Sequence, residues 1–313
     1  MARSAEAWLV GHGVAAASVV EIGATTGGRP VTVQFGDVDV LDPDATFEAL
    51  SLTKTMVAVV ALQLVNEGRM TLDGPLPPLQ GVAVQTTEAM TLRRLLSHSS
   101  GLIDYRQSTS YRNDAILSPL DAVAIGLEGS DLTSTTSSYA ATNYLVVGLA
   151  IETVTGQPLS EVLQERIFVP LQMSDTTLVN NQREGFVGFA SGGVVSTLED
   201  LSLWFDALLR SRSLLPPELH DELLFGGGSF QRNAGLGLWR HCPCDGPTRA
   251  ESEPFLYAFH DGGDTRLVYI PSRDVVIAMR FSKPLYDQDR IIDGIDDFVF
   301  AVADRREFVR TGD

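Results

Sequence analysis

The spacing of apolar residues changes twice along this chain of 313 residues. Residues 15–36 contain two short apolar runs around a Gly-rich centre, a pattern that predicts a β-hairpin. From residue 52 the apolar positions recur at helical spacing, and beyond Gly226 they return to the short runs typical of strands. The chain order is therefore strands, then many helices, then strands again.

Glycine and proline residues divide these patterns into elements. The run that follows Ser51 ends near Gly68, and we expect further helices at 91–96, 119–127, 144–154, 159–168, 198–209, from 216, and at 291–305. The later strands are expected at 235–240, 255–260, 266–270 and 275–281. Polar residues dominate 104–138, which predicts a surface excursion that would form the rim of a nearby site.

This order of elements predicts an α/β (α+β) fold, with an antiparallel sheet made from both ends of the chain and flanked by helices. We expect residues 1–60 and 190–313 to form the domain that carries the sheet. Residues 61–189 would form an all-helical domain inserted into it.

Composition narrows the classes of partner. Hydrophobic residues make up 44% of the chain and charged residues 20%, as in ordinary globular proteins, and the net charge is −17. So acidic a chain argues against nucleic acid and against an anionic membrane as partners. The apolar N-terminal stretch is interrupted at 11–13 and makes a poor signal peptide, so a cytoplasmic location is the default expectation.

The clearest candidate catalytic residues lie at the start of the helix that follows residue 51. Ser51 and Lys54 form a Ser-x-x-Lys pattern, and residues three apart share one face of a helix, so the lysine amine can lie beside the serine hydroxyl. A serine becomes an effective nucleophile when a neighbouring base takes its proton. Lys54 and Lys283 are the only lysines in the sequence, so Lys54 is not one of many surface cations. A helix cap followed by a solvated lysine would show the same pattern.

Two other segments carry groups that could act with this pair. Tyr139 precedes an apolar helix, and its phenol could pass a proton if it lies against Ser51 and Lys54, although a packed or rim tyrosine is the alternative. The sequence His-Asp-Gly-Gly-Asp at 260–264 lies between two predicted strands. Its glycines would let backbone amides approach a ligand closely, and a simple hairpin turn is the alternative.

The two cysteines of the chain, Cys242 and Cys244, flank a proline. A zinc site would need two more ligands, for which His241 and His220 are the only nearby candidates. We therefore expect a loop pair, free or oxidised, with no metal.

Several stretches resemble the serine β-lactamase and penicillin-binding-protein superfamily, in the class C-like branch that includes esterase-like members. They are FEALSLTKTMVAVVALQLVNEGRMTLDGPL, MTLRRLLSHSSGL, YAATNYLVVGLAIETVTGQPLSEVLQERIFVPLQM, ASGGVVSTLEDLSLWF and HDGG. They occur in family order and at family spacing. The resemblance implies a β-lactamase/transpeptidase-like fold and an acyl-enzyme mechanism that requires no metal or organic cofactor.

The same resemblance implies roles for individual residues. Ser51 would be the nucleophile, and Lys54 and Tyr139 would share the general base and acid work. The Ser-x-x-Lys pattern would be the family's first motif, the segment that begins at Tyr139 its second, and HDGG its third. His260 would stand in the third motif, where relatives carry Lys or His. The backbone amides of Ser51 and Gly263 would form the oxyanion hole.

The chain departs from the family pattern at two places that bear on substrate. Relatives usually carry Asn where this chain has Ala141, and a Pro-Gly turn where it has Thr265 and Arg266. The family's Asn helps hold the lysine and the substrate amide, so its loss favours an esterase-like member. Arg266 could bind a substrate carboxylate or be a solvated strand arginine. We expect three residues to contact substrate: Ala141, Gly262 and Arg266.

The function expected from the sequence is a serine hydrolase of the esterase or amidase type, acting on a small-molecule acyl substrate. The alternatives are an acyltransferase that uses the same acyl-enzyme, a β-lactamase or D,D-peptidase, and a catalytically silent binding protein of the same fold. The acyl group, the leaving group and the oligomeric state stay open.

Overall fold

The structure is a computed structural model, which describes residues 5–79, 90–134, 138–180, 182–227, 235–241, 255–259, 264–284 and 297–303. In chain order its strands are β1 (Ala16–Gly23), β2 (Val31–Gly36), β3 (Phe47–Glu48), β4 (Thr177–Leu178), β5 (Val194–Ser196), β6 (Trp239–His241), β7 (Phe255–Phe259), β8 (Thr265–Ile270) and β9 (Val275–Phe281).

The larger sheet contains strands from both ends of the chain, in the order β2-β1-β9-β8-β7-β6. All neighbouring strands in it are antiparallel. The hairpin expected at 15–36 is the β1–β2 pair, in which Ser18 lies opposite Gln34. The prediction of an α/β fold with an antiparallel sheet is confirmed.

The helices are α1 (Ala5–His12), α2 (Leu52–Asn66), α3 (Leu92–Leu96), α4 (Pro119–Glu128), α5 (Ala141–Thr155), α6 (Leu159–Leu163), α7 (Phe189–Gly192), α8 (Leu198–Phe205) and α9 (Pro217–Phe225), and residues 297–303 are also helical. Helix α1 and the four-residue α7 were not predicted from the sequence. Within the described ranges, no helix combines the length and the apolar character needed to cross a bilayer.

Two helices predicted as single elements change pitch part of the way along. Helix α6 continues as a π-helical turn at Gln164–Phe168, and α8 continues as one at Asp206–Arg210. A π turn inserts one residue into the helical repeat without altering the apolar pattern enough for the sequence to reveal it.

Both faces of the larger sheet are buried along β1, β8 and β9. On one face, Val276 and Ala278 of β9 belong to the apolar core that includes most of α2, α5 and α8. On the other face, Ile277 and Met279 pack with α1 and the helix at 297–303. Successive side chains of a strand point to opposite faces, so an almost wholly apolar strand such as β9 serves both cores.

A smaller sheet of order β3-β5-β4 was not predicted, because strands of two or three residues leave no periodic signal. It fixes the chain just before α2. The Ala49 amide donates to the Val194 carbonyl at 2.8 Å, and the Val194 amide donates to Thr53 Oγ1 at 3.0 Å. This sheet therefore sets the position of the first turn of α2.

The rim predicted at 104–138 is only partly a surface excursion. Helix α4 begins at residue 119 as expected, and Ser118 caps it together with Asp121. Asp104 and Tyr105, however, are 4% and 1% exposed, and the Tyr105 ring belongs to the main core. The division of the chain at residues 60 and 190 stays a prediction.

Helix α1 attaches to the sheet mainly through Trp8, which is 1% exposed. Its ring lies 5.7 Å from that of Phe281 on β9 and 5.2 Å from that of Phe298 in the helix at 297–303. The indole Nε1 is buried without a hydrogen-bond partner among the described residues. Trp8 therefore stabilises this core through ring packing.

We expect Trp8→Ala to lower the free energy of unfolding by about 3–5 kcal/mol, the usual effect of truncating a buried aromatic side chain. Trp8→Phe should cost clearly less, because it keeps most of the ring and removes an unpaired N–H. Val10→Ala on the same helix is the control, since Val10 is 81% exposed. Urea unfolding at neutral pH measures all three variants, and equal losses for Ala and Phe at position 8 would contradict this account.

Candidate active site

The first turn of α2 presents Ser51 at the N-cap, where the residue is 7% exposed. Leu50, immediately before it, has φ +40°, in the left-handed region that non-glycine residues seldom adopt. Backbone strain of this kind persists where the surrounding structure holds it, and it often marks functional sites. Here β3 on one side and the buried α2 on the other hold the strained residue.

Lys54 lies on the same face of the helix as Ser51 and is almost fully buried, at 4% exposure. Its Nζ donates to Ser51 Oγ at 2.6 Å and to the Ser191 carbonyl at 2.6 Å. Aromatic rings enclose the nitrogen as well, with centroids 5.1 Å away for Tyr139 and 5.9 Å away for Tyr144. The alternative of a solvated lysine does not describe this geometry.

Tyr139 completes the cluster from the segment that precedes α5. Its phenol oxygen lies 2.7 Å from Ser51 Oγ, at hydrogen-bond distance. Tyr144 also lies near Lys54, but its phenol donates to the Leu96 carbonyl at 3.0 Å. Burial, with the nearby Tyr139, raises the pKa of Tyr144 well above its usual value. Tyr139 is therefore the tyrosine placed for proton transfer.

The Ser191 carbonyl reaches Lys54 because α7 packs very closely on α5. Gly148 of α5 makes this approach possible: a Cβ at that position would lie 2.5 Å from Ala190 Cβ and 2.7 Å from the Phe189 ring. Any larger residue would push α7 away. The stretch ASGGVVSTLEDLSLWF resembles the family, and in the structure the backbone carbonyl of its first serine, Ser191, contacts the lysine.

Asp104 holds the start of α5, on which the second motif lies. Its Oδ2 accepts the Ala141 amide at 2.8 Å, and its Oδ1 accepts the side chain of Arg106 at 2.7 Å. Burial would raise the pKa of Asp104, but the bonds from Arg106 and the Ala141 amide outweigh it and lower the pKa. The carboxylate is thus stabilised in its charged form at a helix N-terminus, where negative charge is favourable.

His98 lies behind Tyr139, with 4.5 Å between the ring centroids, and is 5% exposed. Its Nδ1 accepts the Ala140 amide at 3.2 Å, so that nitrogen carries no proton. Burial, and then the positive charge of Lys54, lower the pKa of His98 to about 3. The imidazole is therefore neutral at physiological pH.

Ala141 is the first residue of α5 and is 6% exposed. Asn143, two residues later, does not take the place of the missing amide. It is fully buried, its Oδ1 accepts the Ser100 hydroxyl at 2.5 Å, and its Nδ2 lies 3.2 Å from His98 Nδ1. Both ends of that amide are engaged in the core, and Ala141 itself has only a methyl group at the position where the family resemblance implies an Asn side chain.

The structure thus brings together three of the residues predicted for the site, Ser51, Lys54 and Tyr139, with Ala141 close by in sequence. Arg266 lies in β8, where its Nη1 donates to the Thr265 carbonyl at 2.9 Å. The remaining predictions fall outside the described residues: His260, Gly262, Gly263, Cys242 and Cys244.

Sequence reasoning missed the residues that support the cluster: His98, Asp104 and Ser191. His98 and Ser191 fall inside stretches that resemble the family, and Asp104 lies two residues beyond the end of one of them. Each makes a contact in which one partner is a backbone amide or carbonyl. Their contacts cross 42, 37 and 137 residues of chain, so no local pattern joins them to the site.

The antiparallel sheet is flanked by helices, and the serine is contacted by a buried lysine and a tyrosine. This arrangement suits nucleophilic catalysis by a serine. The family model described as Beta-lactamase matches residues 9–299. The chain belongs to the beta-lactamase family.

Individual relatives and solved structures agree with this assignment. The chain is 31% identical over 175 residues to penicillin-binding protein 4 of Amycolatopsis lactamdurans, a match covering 54% of this chain and 45% of that protein. It is 29% identical over 160 residues to the esterase EstB of Burkholderia gladioli, covering 46% and 41%. The matched segments thus span less than half the length of either relative. The solved D-amino acid amidase of Ochrobactrum anthropi SV3 superimposes with a TM-score of 0.76 at 21% identity, over 97% of this chain and 98% of the amidase.

The buried neutral His98 makes stability depend on pH. Its pKa is lower in the folded state than its usual value of 6.5, so the unfolded chain binds the proton first as pH falls. The contribution is fully present above pH 6.5 and is lost progressively toward pH 3. We expect the free energy of unfolding to fall more steeply between pH 7 and 4.5 in the wild type than in His98→Asn, by about one proton's slope. Urea unfolding across that range measures the difference, and equal slopes would contradict the neutral assignment.

Proposed function

We propose that this protein is an esterase or amidase that forms an acyl-enzyme on Ser51 and acts on a small-molecule acyl substrate. The observation that carries the proposal is the pair of short contacts at Ser51 Oγ, 2.6 Å from Lys54 Nζ and 2.7 Å from the Tyr139 phenol. A nucleophile in contact with both a base and a proton carrier has what both halves of acyl transfer require.

The reaction begins with attack of Ser51 Oγ on the substrate carbonyl carbon. The serine proton passes to the Lys54 and Tyr139 pair. To accept it, the pair must begin with one of its two groups, the amine or the phenol, deprotonated. As the tetrahedral intermediate collapses, the pair returns that proton to the leaving alcohol or amine. Water then attacks the ester carbonyl of the acyl-enzyme by the same route in reverse, which frees the acid and restores Ser51.

The negative charge on the substrate oxygen needs donors that are already in place. The Ser51 amide is one candidate: within the described part of the chain no hydrogen bond takes up its N–H, while the following amides bond within the first turn. In our proposal the Gly263 amide is the second donor, as the family resemblance implies. His260 would lie beside it in the third motif.

Ala141 favours substrates that need no hydrogen bond to a leaving nitrogen. A carboxylic ester leaves as an alcohol, whereas a lactam or peptide nitrogen must be held and protonated as its bond breaks. A methyl group at this position and a fully engaged Asn143 leave the second motif without an amide to offer. The similar proteins include an esterase and an amidase, and both of these activities suit acyl transfer from small substrates.

The first test is covalent labelling. We expect a fluorophosphonate to add one phosphonyl group per chain, on Ser51, and Ser51→Ala to take up none while keeping its stability. Intact mass spectrometry and peptide mapping measure the adduct. Lys54→Met should label far more slowly, and Lys283→Met is the control for loss of a lysine.

A wild-type chain that neither labels nor turns over p-nitrophenyl esters would be a silent binding protein. Labelling with acyl transfer to added amines, but not to water, would identify an acyltransferase.

The second test concerns position 141. We expect turnover of short-chain p-nitrophenyl esters, with penicillin and cephalosporin hydrolysis absent or slower by about two orders of magnitude or more, the discrimination that a missing hydrogen-bond group can produce. Ala141→Asn should shift the ratio of the two kcat/KM values toward lactams, and Ala141→Val controls for the added bulk. Wild-type rates on lactams comparable to those on esters would place the protein with the lactamases instead.

A further inference from the structure

We infer that His98 is a positioning residue that holds the phenol of Tyr139 against Ser51 and Lys54, an inference that rests on the proposed function. The backbone amides on either side of Tyr139 both bond to this one residue. The Ser138 amide donates to the His98 carbonyl at 3.1 Å, and the Ala140 amide donates to His98 Nδ1 at 3.2 Å. The peptide groups flanking the tyrosine are thus fixed to a single point of the fold.

The ring of His98 adds a third restraint. It packs against the Tyr139 ring, with 4.5 Å between the ring centroids and 36° between the ring planes. His98 itself is only 5% exposed. It also packs against the fully buried Tyr144 ring of α5, with 5.3 Å between centroids. The Tyr139 phenol therefore has one well-defined position, and proton transfer over 2.7 Å is sensitive to its loss.

His98 can hold Tyr139 in this way only while its imidazole is neutral. Protonation would put an N–H at Nδ1, facing the Ala140 amide and the Asn143 amide group, which are donors themselves. It would also add a cation to the pocket of Lys54. Burial and the charge of Lys54 keep the ring neutral, and Asp104 opposes them only in part.

The backbone of His98 is adapted to this role. The residue follows the C-cap of α3 with φ +55°, a left-handed conformation that glycine or asparagine would adopt more readily. This turn directs the His98 carbonyl to Ser138 and the ring to Ala140. A histidine that served only to end the helix would need neither contact.

The test separates positioning from simple packing through a double-mutant cycle with Tyr139→Phe. We expect His98→Leu to lower kcat on a p-nitrophenyl ester by about 10–100-fold with KM little changed, the effect of a small misplacement of a catalytic group. In the Tyr139→Phe background the same change should cost no more than about 3-fold, because losses of groups that act as one unit do not add. His98→Asn should retain most of the activity, since its Oδ1 replaces Nδ1 as acceptor and Asn tolerates the left-handed backbone.

Two further variants keep the test decisive. If His98→Leu folds poorly, His98→Gly removes the acceptor without backbone strain and should show the same non-additivity. His220→Leu is the matched control: it removes another buried histidine, 1% exposed and bonded to the Leu208 carbonyl at 2.8 Å, and should lower stability with an additive effect on rate. Equal rate losses from His98→Leu with and without the Tyr139 phenol would overturn the inference. Failure of the proposed function looks different, because Tyr139→Phe and Ser51→Ala would then leave the ester rate unchanged.

Discussion

The nitrogen of Lys54 is removed from water, and most of the site follows from the partners that this burial requires. A buried amine or ammonium must be hydrogen-bonded to avoid a large desolvation penalty. Here the partners are the Ser51 hydroxyl one turn away and the Ser191 carbonyl on α7, with two tyrosine rings around them. One nitrogen therefore ties the α2, α5 and α7 segments together, and the Ser51 hydroxyl, which we propose as the nucleophile, is one of its hydrogen-bond partners.

The neighbours of Lys54 on the first turn of α2 extend this role. Thr53 accepts the Val194 amide, and Thr55 donates to the Gly237 carbonyl at 2.6 Å. Three consecutive polar side chains thus bind the 191–194 stretch and Gly237 at the start of a helix that is otherwise almost entirely apolar and buried. A helix so enclosed gives the reacting groups a rigid support, as precise catalytic geometry requires.

A second layer fixes the tyrosine in the same way. Asp104 holds the start of α5 through the Ala141 amide, and Tyr105 beside it accepts the Val187 amide at 3.0 Å, just before α7. The rim segment therefore links the two elements that carry Tyr139 and the Ser191 carbonyl. Asp104 and His98 act on adjacent amides, those of residues 141 and 140, so the entry to α5 is held from two directions.

The sequence by itself determined the fold class, the order of the longer strands and helices, and the pairing of Ser51 with Lys54, because helical and strand periodicities and an i to i+3 spacing are local properties. It also placed Tyr139 as a candidate through family resemblance. Only the tertiary structure decided that the phenol reaches Ser51, that Asn143 turns into the core, and that His98, Asp104 and Ser191 support the site. The supporting contacts of His98, Asp104 and Ser191 each involve a backbone amide or carbonyl, which every residue carries, so side-chain patterns hold no record of them. The side-chain contacts of Tyr139 and Asn143 join residues 88 and 43 positions apart in the chain, beyond the reach of any local pattern.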